Sequence, residues 1–69
     1  MMKIEYDKRV DAAYIYIKSP IRNGEVKESK KIKPNVVLDY DKEGKLLGVE
    51  FLNASKTLNK KGLATIPAI

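Results

Sequence analysis

Apolar and charged residues alternate at the start of the chain. In Lys3-Ile4-Glu5-Tyr6, Ile4 and Tyr6 fall on one side of an extended segment and Lys3 and Glu5 on the other. That two-residue period predicts a half-covered β-strand. "DKRVD", residues 7 to 11, breaks the pattern with two aspartates, which readily close turns onto nearby backbone. The run Ala12 to Lys18 is rich in aromatic and β-branched residues, with Ala13, Ile15 and Ile17 on one face and Tyr14 and Tyr16 on the other. A strand partly apolar on both faces suits a central position, or one covered by a partner. "SPIRNGE", residues 19 to 25, is turn chemistry, and Asn23-Gly24 offers the positive φ values of a tight hairpin.

The second half repeats the strand signal with sharper punctuation. Val26 to Lys33 reads as a polar strand, and Pro34-Asn35 after it predicts a kink or an edge, because proline cannot donate to a sheet ladder. Val36 to Asp41 and Lys45 to Leu52 form a hairpin around Asp41-Lys42-Glu43-Gly44, a type I turn with Gly44 left-handed. Two registers are open. Pairing Tyr40 with Lys45 gathers Val36, Leu38, Tyr40, Leu47 and Val49 on one face, whereas pairing Asp41 with Lys45 brings Glu50 onto the face of Val36 and Leu38. Burial favours the first. Gly48, inside a strand, leaves room for an aromatic ring from a neighbour, Tyr14 or Tyr16. Beyond it, Asn53 or Ser55 caps a helix from Ser55 to Lys61, stopped by a left-handed Gly62. The ending "LATIPAI", residues 63 to 69, is an edge strand, a docked tail or a frayed end.

These elements make one domain over residues 1–69, α+β or mainly β, with a small antiparallel sheet of four or five strands and one short C-terminal helix. Size then changes the picture. A chain of 69 residues buries only roughly 60% of its unfolded surface, and such domains usually recruit disulfides, metals or further copies of themselves. With no cysteine and no histidine, disulfides and the common zinc or haem ligands are excluded. Self-association remains, with a homodimer as the first expectation. No stretch approaches the roughly 18 apolar residues of a membrane span, and the first residues lack the apolar core of a signal peptide. The expected location is therefore cytoplasmic.

Charge and candidate chemistry narrow the function classes. The formal net charge of +5 is concentrated in two blocks, +3 over residues 26–33 and +3 over residues 53–69. Lys27, Lys30, Lys31 and Lys33, with Tyr14 and Tyr16, are candidate contacts to a nucleic acid, since aromatic residues beside cations can hold single strands. Against this, lysine lacks the planar fork with which arginine grips phosphates and bases, and a solvated lysine face is the simpler reading. For catalysis the chain offers neither an imidazole base nor a thiol nucleophile. Asp39, Asp41, Glu43 and Glu50 gather near the hairpin, but Asp41 and Glu43 flank a turn where acids are common. Glu50 alone sits mid-strand and is the residue whose surroundings matter. No catalytic, cofactor-binding or metal-binding residue is assigned, no cofactor is expected, and an enzyme is not expected.

The segments together resemble a known family. "MKIEYDKRVDAAYIYI", then the polar strand ending in Pro34-Asn35-Val36-Val37-Leu38-Asp39-Tyr40-Asp41, then "EGKLLGVEFLNASK", are similar to the domain of unknown function 2283 family of small, mostly prokaryotic proteins. Tyr6, Asp7, Asp11, Ala12, Tyr14, Asp39, Tyr40, Asp41, Gly44, Gly48, Glu50, Asn53, Ala54 and Ser55 carry the likeness, which covers about residues 2 to 58. The resemblance implies a small antiparallel β-domain and no catalytic assignment. The leading reading is thus a non-enzymatic interaction or structural domain that self-associates. Weak nucleic-acid binding is the alternative, and an antitoxin-like partnership with a neighbouring small protein is a second one.

Overall fold

The computed structural model describes residues 2–69. Five strands, β1 (Lys3–Asp7), β2 (Ala12–Tyr16), β3 (Glu28–Lys33), β4 (Val36–Tyr40) and β5 (Leu46–Leu52), form one sheet in the order β1-β2-β5-β4-β3. All neighbours are antiparallel. Three of the four pairings join strands adjacent in sequence, and the β2–β5 ladder, with Tyr14 opposite Glu50 and Ile15 opposite Val49, fastens the two halves.

Cross-strand partners share a face, so the ladders sort the side chains. Ile4, Tyr6, Ala13, Ile15, Val49, Phe51, Leu38 and Val36 lie on one face. Lys3, Glu5, Tyr14, Tyr16, Glu50, Asp39, Ser29 and Lys31 lie on the other. Two short helices follow, α1 (Ala54–Thr57) and α2 (Lys60–Ala64). Residues 58 to 66 run over the apolar face on its β1-β2-β5 side, across a cleft of about 370 Å³ lined by Ile4, Ile15, Phe51, Leu58, Leu63 and Ile66. The helix layer therefore stands off the sheet instead of filling its grooves.

Five expectations are corrected. The helix over residues 55–61 is two helices, because the Asn59 side chain accepts from the N–H groups of Lys61 (2.9 Å) and Gly62 (3.2 Å) and starts a second one. Gly62 lies inside α2 and is not a left-handed stop. Asn23-Gly24 does make a local turn, with Glu25 N–H donating to the Arg22 carbonyl at 3.1 Å and Gly24 at φ 79°. It closes no hairpin, however, since β2 and β3 lie at different places in the sheet and the loop between them crosses from one half to the other. The polar strand starts at Glu28 and not at Val26, and it is the outer edge of the sheet.

The β4–β5 register is the fifth correction, since neither option holds throughout. At the turn, Asp41 N–H donates to the Lys45 carbonyl at 2.9 Å and Tyr40 opposes Leu46, as in the second register. A bulge next to Leu47 then adds a residue to β5, and Asp39 faces Gly48, Leu38 faces Val49 and Val36 faces Phe51. The extra residue returns the apolar side chains to a common face and keeps Glu50 off it. Gly44 is left-handed at φ 79° and donates to the Asp41 carbonyl at 3.0 Å, as the turn requires.

Candidate functional site

The polar face is organised around Tyr14. Its ring lies across Gly48, where an added Cβ would stand 2.2 Å from the hydroxyl and 2.5 Å from ring carbons. Only glycine allows the ring to lie flat on β5 and reach β4. There its hydroxyl donates to Asp39 Oδ2 at 2.7 Å, while the Ser29 hydroxyl on β3 donates to Oδ1 at 2.6 Å. Four strands are thus crossed by one side-chain chain of contacts. Burial, with the accepting Asp39 carboxylate next in weight, pushes the Tyr14 hydroxyl far above its usual range. The Tyr16 ring packs edge-on against Tyr14 with centroids 4.6 Å apart. Lys3 first, and the Tyr16 hydroxyl second, hold Glu5 below the usual carboxylate range.

A second cluster ties the β1–β2 turn to α1. Asp11, held left-handed at φ 52°, accepts from the Tyr6 hydroxyl (2.8 Å), the Ser55 N–H (3.0 Å) and the Ser55 hydroxyl (2.7 Å). Its own carbonyl accepts from Ala54 N–H at 2.8 Å, and Ala54 is fully buried. Ser55, then Tyr6, lower the Asp11 pKa, and the same carboxylate raises that of Tyr6. Both clusters fix the chain to itself.

The nucleic-acid candidates are not brought together. Lys30, Lys31 and Lys33 are exposed on β3, but their partners Leu38, Val37 and Val36 put Lys30 and Lys31 on opposite faces. Lys27 precedes the strand, where its N–H donates to the Tyr40 carbonyl at 2.9 Å. Tyr14 and Tyr16 are three strands away on β2, with Asp39 and Glu50 between them and the lysines. Glu50 itself is half-buried, opposite Tyr14 and Val37. Among the described residues, no three acidic side chains gather where a metal ion would sit.

Exposed apolar surface is the feature that the chain leaves open. Ala13, Leu47 and Ala54 are the buried apolar residues among those described, while Met2, Ile4, Val10, Ile32 and Ile69 are exposed. The sheet has two edges, and they differ. β3 carries Lys30, Lys31 and Lys33 and a bulge between Lys31 and Lys33, both recognised guards against strand addition. The β1 edge has no bulge and a single lysine, Lys3. Among the described residues it is met only at Tyr6, whose N–H donates to the Pro67 carbonyl at 3.1 Å and whose carbonyl accepts from Ile69 N–H at 3.0 Å, in a parallel bridge to the C-terminal tail. The polar strand Val26 to Lys33 reads from the sequence as a protected edge, with the apolar tail or Ala12 to Lys18 as the likelier contact, whereas the open edge is β1, whose "MKIEYD" lacks the proline, glycine and lysine run of a guarded strand.

A family model described as Protein of unknown function (DUF2283) matches residues 3–55. The chain belongs to the domain of unknown function 2283 family. No curated protein and no solved structure matches it. The residues that carry the likeness to the domain of unknown function 2283 family fall largely into three structural sets: Tyr6, Asp11, Ala54 and Ser55 in the corner, Tyr14, Asp39 and Gly48 under the aromatic strut, and Asp41 and Gly44 in the hairpin turn. No helix of the described residues is long and apolar enough to cross a membrane.

Proposed function

We propose that this member of the family is a non-enzymatic interaction domain that self-associates, with a homodimer as its working form. One observation carries the reading. The chain exposes 5119 Å² at 7.8 kDa, whereas a compact monomer of that mass exposes about 4,400 Å². The surplus of roughly 700 Å² approaches the ~800 Å² that each partner contributes to a standard interface. Support also comes from the thin core, in which no large side chain is fully enclosed, and from the apolar cleft beneath the helices. A second copy supplies what a chain lacking cysteine and histidine cannot obtain from disulfides or histidine-bound metals.

Binding of a nucleic acid has less support. The exposed lysines of β3 favour it, but the tyrosines that would stack bases have hydroxyls set against carboxylates and lie far across the sheet. Thermal unfolding at several protein concentrations tests the main reading. Because mass action stabilises an associating fold, the midpoint rises with concentration. A midpoint independent of concentration contradicts self-association.

A further inference from the structure

We infer that the free edge of β1 is the seam of this assembly: two copies pair their β1 strands antiparallel about Ile4, each displacing its own tail from Tyr6. The inference rests on the self-association proposed above and adds where it occurs.

Backbone geometry selects the residues. In an antiparallel strand, alternate residues turn both N–H and C=O to the same side. Tyr6 turns both groups outward, toward Pro67 and Ile69. Ile4 and Met2, two and four residues earlier, therefore also point away from β2. Ile4 is 39% exposed and Met2 63%. A row of outward backbone groups beside apolar side chains is a template for another strand.

Symmetry and charge then fix the occupant as a second copy. A two-fold axis at Ile4 sets Ile4 against its own image and Met2 against Tyr6 of the other chain, each a facing pair that exchanges two backbone hydrogen bonds. The tail supplies only the two bonds at Tyr6. The same axis sets Lys3 opposite Glu5 of the other chain on the polar face. These are the closely spaced, non-hydrogen-bonded positions, where opposite charges attract best. Within one chain Lys3 and Glu5 already meet at 3.0 Å, so pairing exchanges two intrachain contacts, one in each copy, for two interchain ones. On the apolar side, Ile4 lines the cleft, so the seam brings the two clefts edge to edge. The β3 edge fails the same test. A two-fold axis through Lys30 or through Lys31 would set that lysine against its own image across the seam.

Charge reversal and sedimentation equilibrium test the seam. Lys3→Glu places Glu opposite Glu5 at both symmetric positions and raises the dimer dissociation constant about tenfold, while Lys3→Glu/Glu5→Lys returns it to within about twofold of wild type. Ile4→Pro removes an outward N–H that the ladder to β2 does not use, and gives a folded monomer. Deleting residues 67–69 removes the competitor and tightens association. Should Ile4→Pro not fold, the wild-type Ile4 amide gives the same information, because its hydrogen exchange slows as concentration rises. A wild-type chain that stays monomeric at millimolar concentration overturns self-association and the seam together. A dimer indifferent to Lys3→Glu, with an Ile4 amide that exchanges freely at every concentration, overturns the seam alone.

Discussion

Asp11 and Gly48 show how much of this domain depends on single positions. Asp11 joins a turn to a helix 44 residues away through two side-chain hydrogen bonds and holds the Tyr6 hydroxyl through a third. Its pKa is lowered in the fold, from an ordinary value of 3.8, by Ser55 and Tyr6. A depressed carboxylate contributes stability above its unfolded pKa and loses it as pH falls through the folded value. The stability advantage of wild type over Asp11→Asn is therefore full near pH 6 and shrinks as the pH falls below about 4, as denaturant titrations at each pH would reveal. Asparagine also tolerates the left-handed backbone, which separates the charge effect from strain. Tyr14 has the opposite sign. Its raised pKa contributes stability below pH 10 that is lost as pH rises further. Gly48→Ala pushes a methyl group into that ring and breaks its bond to Asp39, at a cost of about 1–3 kcal/mol by chemical denaturation. If Gly48→Ala were neutral, the aromatic strut would not be what holds the polar face. Room for an aromatic ring at Gly48 was legible from a glycine inside an apolar strand. Asp11 was not, because its partner is distant in sequence and nothing local distinguishes it from the turn aspartate Asp7, which does bond locally to Arg9 N–H at 3.0 Å.

At the level of elements, strands were easier to read than their offsets. Alternation, β-forming residues and turn punctuation together pointed to the five segments that form them. Their alignment depends on a bulge, and the bulge next to Leu47 follows from reconciling a tight turn at Asp41 with a shared apolar face, a conflict that neither requirement shows alone. The helical segment was misread for a related reason. Lysines and a glycine suggested one helix with a left-handed stop, whereas the asparagine in its middle is a stronger starter than the glycine is a stopper. Asn59→Ala should therefore unfold α2 preferentially, costing about 1 kcal/mol locally and speeding amide exchange at Lys61 and Gly62. Unchanged exchange there would assign the helix break to the apolar contacts of Leu58 and Leu63 instead. The lysine-rich β3 strand is best explained at this scale too, as a guarded edge.

For the molecule as a whole, flatness is the dominant property. The Cα trace measures 34 × 25 × 18 Å, a five-stranded sheet with only nine helical residues to cover one face. The residues that carry the family likeness are spent largely on turns, a corner and an aromatic strut. What the sequence could supply at this scale was the shortage of core, from length and composition. Where the shortage is exposed needed the ladder order, because edges and faces are properties of the assembled sheet. The proposed second copy would cover the surface in excess of a compact monomer, and the mass of the particle in solution decides whether it does. Sedimentation equilibrium of the wild-type chain should give about twice its 7.8 kDa mass at high concentration, falling toward the single-chain value on dilution. A single-chain mass at every concentration would contradict the account.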